Sequence, residues 1–151
     1  LNAVKIYRVA RALYKRKIPL LPTFFERLIF LLFNSVVPYT AEIGKGSRLN
    51  YGGIGVVIHK YAVIGENVLI GAGVTIGGNM FQGQRPVIGN NVMIAAGAKI
   101  LGCKIGNNVI VGANAVVMKD VPDDSVVAGV PAKVLRPIND QERTFLVGGK
   151  E

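Results

Sequence analysis

From residue 58 onward an aliphatic residue returns at every sixth position, and this regularity constrains the chain more than any other feature. It runs through Ile58, Ile64, Ile70 and Ile76, passes over the segment Gln82–Val87 without losing phase, and continues at Ile88, Ile94 and Ile100. One residue is then dropped, and Ile105, Val111 and Val117 restore the spacing. Most of these residues are followed by Gly or Ala, as in Ile64-Gly-Glu-Asn-Val-Leu and Ile88-Gly-Asn-Asn-Val-Met. A period of six fits neither an α-helix nor an alternating strand; it is the period of a hexapeptide β-solenoid. Each hexapeptide forms one flat side of a triangular coil, its aliphatic residue aimed at the axis. Gly, Asn or Ala makes the corner, where positive φ or crowding excludes bulk. Three sides make a coil of about 18 residues, coils stack at about 4.8 Å, and residues 43–122 supply about four to five layers. The composition agrees: 19 glycines and only 7% aromatic residues suit a core of thin aliphatic layers.

The 151 residues suffice for one domain of ordinary size, which divides into an N-terminal helical segment (1–37), the solenoid (38–138) and a tail (139–151). Residues 2–17 read as an amphipathic helix ended by Pro19 and Pro22, and a second, mostly apolar helix runs from about Phe24 to Val36, closed by Pro38. The longest apolar run, Leu28–Val37, is shorter than the ~20 residues of a membrane span. The chain carries a net charge of +9, concentrated at its start, where Lys5, Arg8, Arg11, Lys15, Arg16, Lys17 and Arg27 face Glu26 alone. Such helices either pack on a neighbouring element or subunit, or lie on an anionic membrane. The single cysteine, Cys103, cannot form an intrachain disulfide and reads as a buried thiol. With no cleavable signal pattern at the amino end, the expected place is cytoplasmic, with peripheral contact at the inner face of the membrane. The basic charge has no interleaved aromatics, so no nucleic-acid partner is expected.

The segments Ile64-Gly-Glu-Asn-Val, Gly73-Val-Thr-Ile-Gly-Gly, Gly97-Ala-Lys-Ile-Leu-Gly and Ala128-Gly-Val-Pro-Ala-Lys-Val resemble the left-handed β-helix acyltransferases, over about residues 36–138. The likeness is closest to the serine O-acetyltransferase group and its relatives that acetylate sugars of surface polysaccharides. The resemblance implies an all-β, left-handed parallel β-helix with short N-terminal helices. It further implies a homotrimer with active sites in the grooves between prisms, and acetyl transfer from acetyl-CoA to a small-molecule hydroxyl acceptor. An Asp-His pair that serine acetyltransferases carry before the Gly-Gly segment corresponds here to Asn50-Tyr51 or Tyr51-Gly52, and a second histidine corresponds to Arg85. On that departure and the basic N-terminal helices, the expected acceptor is a sugar of a surface-polysaccharide precursor. Serine is the alternative, and a non-catalytic trimeric scaffold or binding module is a second one.

His59 is the only histidine. It is second in its hexapeptide, so its side chain projects outward, and imidazole is the side chain suited to take a proton from an attacking hydroxyl near neutral pH. Tyr51 and Asn50 are candidates to orient base or acceptor. Residues Asn79–Pro86 leave the repeat in phase and form a loop whose Met80, Phe81, Gln82 and Arg85 could cover acceptor or pantetheine, Tyr51, Phe81 and Arg85 being the acceptor-contact candidates. By resemblance, the acyl-CoA positions are Gly78, Ala96 and Ala113, with the Gly78 N–H as candidate oxyanion donor. Lys119, Lys133 and Arg136 are expected to meet the nucleotide phosphates. No metal is expected, because zinc hydration chemistry on this fold needs three imidazoles.

Overall fold

The computed structural model describes residues 1–79 and 82–148. Helices α1 (Ala3–Lys15) and α2 (Leu21–Phe33) come first. Pro22 lies in the first turn of α2, so it starts the second helix instead of ending the first, and Asn34 in the left-handed region ends α2 three residues earlier than the apolar run suggests.

The solenoid then winds through β1 (Glu42–Ile43), β2 (Arg48–Leu49), β3 (Val57–Ile58), β4 (Val63–Ile64), β5 (Leu69–Ile70), β6 (Thr75–Gly77), β7 (Val87–Ile88), β8 (Met93–Ile94), β9 (Lys99–Leu101), β10 (Lys104–Ile105), β11 (Ile110–Val111) and β12 (Val116–Val117). It closes with β13 (Ser125–Gly129) and β14 (Ala132–Pro137). These strands build three parallel sheets, β3-β6-β9-β12, β1-β4-β7-β10 and β2-β5-β8-β11-β13, the faces of a prism of about four turns. β14 reverses and pairs antiparallel with β13. Every sixth-position residue from Ile58 to Val117 is at least 98% buried on the axis, as the periodicity requires. A second inward position, four residues further on, is filled by Ala62, Val68, Val74, Val92, Ala98, Val109 and Ala115, all fully buried.

Three edges join the faces, and each has its own chemistry. The edge between the β4 and β5 faces carries Asn67, Asn91 and Asn108 at positive φ. Their side chains form a ladder, Asn67 Nδ2 donating to Asn91 Oδ1 (3.3 Å), Asn91 Nδ2 to Asn108 Oδ1 (3.2 Å) and Asn108 Nδ2 to Asp124 Oδ1 (2.8 Å). Asparagine tolerates that conformation and can both donate and accept, so one residue type turns the corner and ties coil to coil. The Asn108 amide, and after it Arg143, holds the Asp124 carboxyl below its usual range.

The edge between the β5 and β6 faces carries small residues, among them Ala72, Ala96 and Ala113. The edge between the β3 and β4 faces carries His59 and the loop that leaves between β6 and β7. The residue dropped after Ile100 shortens the next corner on this loop edge to Gly102–Cys103. Gly102 donates to Gly77 O (2.8 Å), and a Cβ there would collide with the backbone of Asn79, so the shortened corner seats the base of the loop. Cys103 is buried, its thiol pushed up to about 11 by burial.

α1 packs on the first coil. Ala3, Val4 and Tyr7 join the prism core, the Tyr7 hydroxyl donates to Ala41 O (2.6 Å), and Arg11 donates to the carbonyls of Tyr39 (3.0 Å) and Ala41 (2.7 Å). The segment before residue 38 therefore shares its core with the solenoid. The expected tail contains α3 (Asp140–Gly148), opened by a reciprocal cap in which Glu142 N donates to Asn139 Oδ1 (2.8 Å) and Asn139 N to Glu142 Oε2 (2.9 Å). No described helix is long and apolar enough to cross a membrane.

Candidate active site

His59 follows β3 at the loop edge, where its backbone is fixed on both sides: His59 N donates to Ile76 O (2.7 Å) and Ala62 N to His59 O (2.9 Å). The ring projects outward from the prism, as the hexapeptide position predicts. It forms one wall of a cavity of about 460 Å³ with Tyr61, Gly78, Asn79, Gly83 and Gln84. Its Nδ1 accepts a hydrogen bond from Tyr61 N (3.2 Å), and the Tyr61 ring stands edge-on to it with centroids 5.9 Å apart. Gly78, one coil along, is where the opposite face of the imidazole needs space. A Cβ on Gly78 would lie 3.2 Å from His59 Nε2 and 3.3 Å from Cδ2. His59 and Gly78 are thus brought together by coil stacking, although 19 positions separate them.

The loop opposite is pinned at its neck, with Asn79 N donating to Gln84 O (3.0 Å) and Gln82 N to Asn79 Oδ1 (3.3 Å). Arg85 is exposed where the loop returns to β7. Phe81 and Met80, the proposed covers for acceptor or pantetheine, lie outside the described residues. Tyr61, Asn79 and Gln84 are cavity residues that the repeat pattern did not single out. Their only sequence signal was position: Tyr61 shares its hexapeptide with His59, Asn79 opens the loop and Gln84 lies within it.

Other candidates stand elsewhere. Asn50 and Tyr51 occupy a short turn between β2 and β3, at the opposite end of the same face from His59. Tyr51 has φ of 52°, an uncommon backbone for a non-glycine residue, and is 84% exposed. Both line a separate cavity of about 750 Å³ with Asn2, Arg48, Leu69, Thr144 and Phe145. The expectation that they orient a base at His59 is therefore not met within one chain, because a whole side of the coil separates the two corners. Ala96 and Ala113 follow β8 and β11 on the small-residue edge, whereas Gly78 and Lys119 are on the loop edge, so the expected acyl-CoA positions are divided between two edges. Arg136, expected at a phosphate, instead forms a two-pronged ion pair with Glu142 (2.9 and 2.6 Å). That pair, and then the Asn139 N–H, hold the Glu142 carboxyl down to about 2. Lys133 on β14 is exposed. Among the described residues no group of acidic, Cys or His side chains is arranged to hold a metal.

Comparison with known proteins agrees with this architecture. Residues 85–119 match the family of bacterial transferase hexapeptide repeats (six repeats). The serine acetyltransferase of Synechococcus elongatus is 42% identical over 103 residues, which are 67% of this chain and 42% of that protein. A solved serine acetyltransferase in complex with cysteine superposes with a TM-score of 0.85 at 31% identity, over 99% of this chain and 59% of the other. A serine acetyltransferase in complex with CoA gives a TM-score of 0.79 at 34% identity, over 88% and 55%. The chain thus spans about half the length of these relatives. The coil has the left hand that the resemblance implied. With the repeat, the phase-keeping loop and these likenesses in agreement, the chain has the left-handed β-helix fold of the hexapeptide-repeat acyltransferases and is most like their serine O-acetyltransferase group among the relatives compared.

Proposed function

We propose that this protein transfers the acetyl group of acetyl-CoA to the hydroxyl of a small acceptor, and that the acceptor is L-serine. The observation that carries the transfer reading is the cavity at the loop edge, where the only imidazole of the chain faces a glycine cradle that a Cβ would fill. The names of the relatives favour serine over the sugar hydroxyl expected from the sequence, since the proteins similar to this one are serine acetyltransferases. The test is release of CoA thiol from acetyl-CoA with L-serine and with a panel of nucleotide-linked and lipid-linked sugars. Serine-dependent release is the expected result. Release with a sugar and not with serine returns the acceptor to the sugar, and no release with any acceptor leaves a non-catalytic module.

The division of candidates between two edges supports a homotrimer. Small residues that suit pantetheine lie on one edge and His59 on another, so a complete site forms where the loop edge of one prism meets the small-residue edge of its neighbour. Light scattering is expected to give three times the monomer mass, and a fully active monomer overturns this assembly.

The N-terminal helices support contact with an anionic membrane. α2 leaves Phe24 and Leu31 exposed at 58% and 80%, as is Leu20 just before it at 84%; Arg16, Lys17 and Arg27 are exposed too, Arg27 falling between Phe24 and Leu31 on the helix. Exposed apolar side chains with cations among them match acyl chains beneath anionic headgroups. Pelleting with anionic vesicles, reversed by salt and lost in Phe24→Ser/Leu31→Ser, is expected. Point changes are the right probe, because α1 supplies Tyr7 to the core. Equal pelleting on neutral vesicles, or pelleting that survives the substitutions, assigns α2 to protein packing.

A further inference from the structure

Cations converge where α1 crosses the first coil. Arg8, Arg11 and Lys15 follow one another at spacings that place them on one face of α1, and Lys45 joins them from the corner between β1 and β2. With Tyr7 and Ile43 they line a cavity of about 260 Å³. Both walls are fixed. On the helix side the Tyr7 hydroxyl donates to Ala41 O (2.6 Å), and the Arg11 guanidinium to Tyr39 O (3.0 Å) and Ala41 O (2.7 Å). On the coil side Lys45 O accepts from Asn67 N (2.9 Å), and the Ser47 hydroxyl donates to Gly65 O (2.8 Å). The carbonyls occupy Arg11 N–H groups but leave its charge in place. Among the described residues the one carboxylate within 4.0 Å of these cations is Glu42, 3.9 Å from Arg11 and itself 64% exposed. Arg8 spends one N–H on Ser47 O at the long distance of 3.4 Å, and Lys15 and Lys45 are exposed with no ion pair among the described residues. Like charges at these spacings repel and cost stability. Packing α1 on the coil requires Val4 and Tyr7 inside, but it does not require the exposed positions 8, 15 and 45 all to be basic.

We propose that this cavity binds the phosphate monoester group of a ligand, with Arg8, Lys15 and Lys45 donating to its oxygens and Arg11 adding charge. Such a group carries about two negative charges near neutral pH and several acceptor oxygens, so it relieves the repulsion and satisfies the donors together. The volume is below the about 300–1,000 Å³ of pockets that enclose a whole small molecule, so the cavity holds the phosphoryl head and the rest of the ligand extends outside. Lys15 also lines a neighbouring cavity of about 530 Å³ with Ile18, Pro19, Leu20 and Pro22, which gives an apolar continuation a place to lie. Two sources share this chemistry, a soluble phosphate ester and the phosphate headgroup of a lipid. The site is on the first coil, at the other end of the prism from Lys119, Lys133 and Arg136, and it does not depend on the acetyl-transfer reading.

The full chain and inorganic phosphate supply the test. Phosphate, added against chloride at equal ionic strength, is expected to raise the melting temperature to a plateau, and titration calorimetry to give one site per chain. Arg8→Gln/Lys45→Gln changes two exposed side chains and is expected to weaken phosphate binding by at least about tenfold. Lys60→Gln/Lys104→Gln removes the same charge from exposed positions elsewhere and is expected to bind within about twofold of the unmodified protein. Lys45→Gln alone gives the same reading with a smaller loss where the double variant does not fold. Equal weakening in both double variants, or a melting temperature that answers phosphate no more than chloride, overturns the site. Vesicles separate the sources. At matched surface charge, stronger pelleting with phosphatidic acid than with phosphatidylserine, lost in Arg8→Gln/Lys45→Gln, identifies a lipid headgroup; phosphate binding without that preference identifies a soluble ester. Phe24→Ser/Leu31→Ser is expected to keep the phosphate-dependent shift in solution, so this site and the membrane contact of α2 fail separately.

Discussion

Replacing His59 with alanine is expected to lower turnover with acetyl-CoA by about 10²–10³-fold while acetyl-CoA binding stays nearly unchanged. The prediction separates chemistry from folding, because the bonds from His59 N to Ile76 O and from Ala62 N to His59 O belong to the backbone and survive loss of the ring. The Tyr61 amide loses its side-chain acceptor, but that bond is at the exposed surface, where water replaces the imidazole. The ring forms one wall of the cavity and makes no part of the axial core, so its removal enlarges the cavity without opening a void inside the prism. Thiol-release kinetics and calorimetric titration with acetyl-CoA make the measurement. A variant that keeps more than half of the original turnover removes His59 from the reaction.

A large loss of stability is expected from Gly89→Ala. Gly89 follows β7 at the corner of the asparagine ladder, with its N–H donating to Ile105 O at 2.8 Å. An added Cβ would lie 2.6 Å from Gly106 O and 2.7 Å from Gly106 C, backbone atoms of the next coil. Asn107 Oδ1, also 2.6 Å away, is held by the N–H of Asn90 and cannot simply swing aside. Relief requires the two coils to part at one corner, which strains the ladder bonds above and below. Overpacking of this kind costs about 1–3 kcal/mol, and for a chain of this size that lowers the melting temperature by about 2–12 °C. Gly148→Ala is the control, since nothing lies within 4 Å of a Cβ built there. Thermal denaturation followed by circular dichroism distinguishes the two, and equal melting temperatures contradict the close stacking at Gly89.

The axial residues from Ile58 to Val117 were legible in the sequence because a coil side of fixed length repeats its inward position at fixed spacing. The second inward position was less legible. Ala62, Val68 and Ala98 differ in size and alternate with other aliphatic residues, so they do not stand out from neighbours such as Val63 and Leu69 that point outward. The helix α3 had a readable start in Asn139-Asp-Gln-Glu142, a capping pattern overshadowed by the strong repeat before it. The end of α2 was misplaced because apolar residues continue through Val36 and Val37, yet those residues enter the prism after Asn34 turns the chain.

The sequence by itself determined the solenoid, the phase-keeping loop and the outward placement of His59, since each depends on counting along one chain at constant rise. Tertiary structure decided which corners share an edge. His59 and Tyr51 are eight positions apart and line different cavities, while His59 and Gly78 are 19 apart and meet, because stacking brings together residues one turn removed and a coil side holds apart those within it. It also decided which charges were already engaged: Arg136 is held by Glu142, and Arg11 by carbonyls of the first coil. Charge is a property of residue type, but availability depends on what the fold sets within about 3 Å of it.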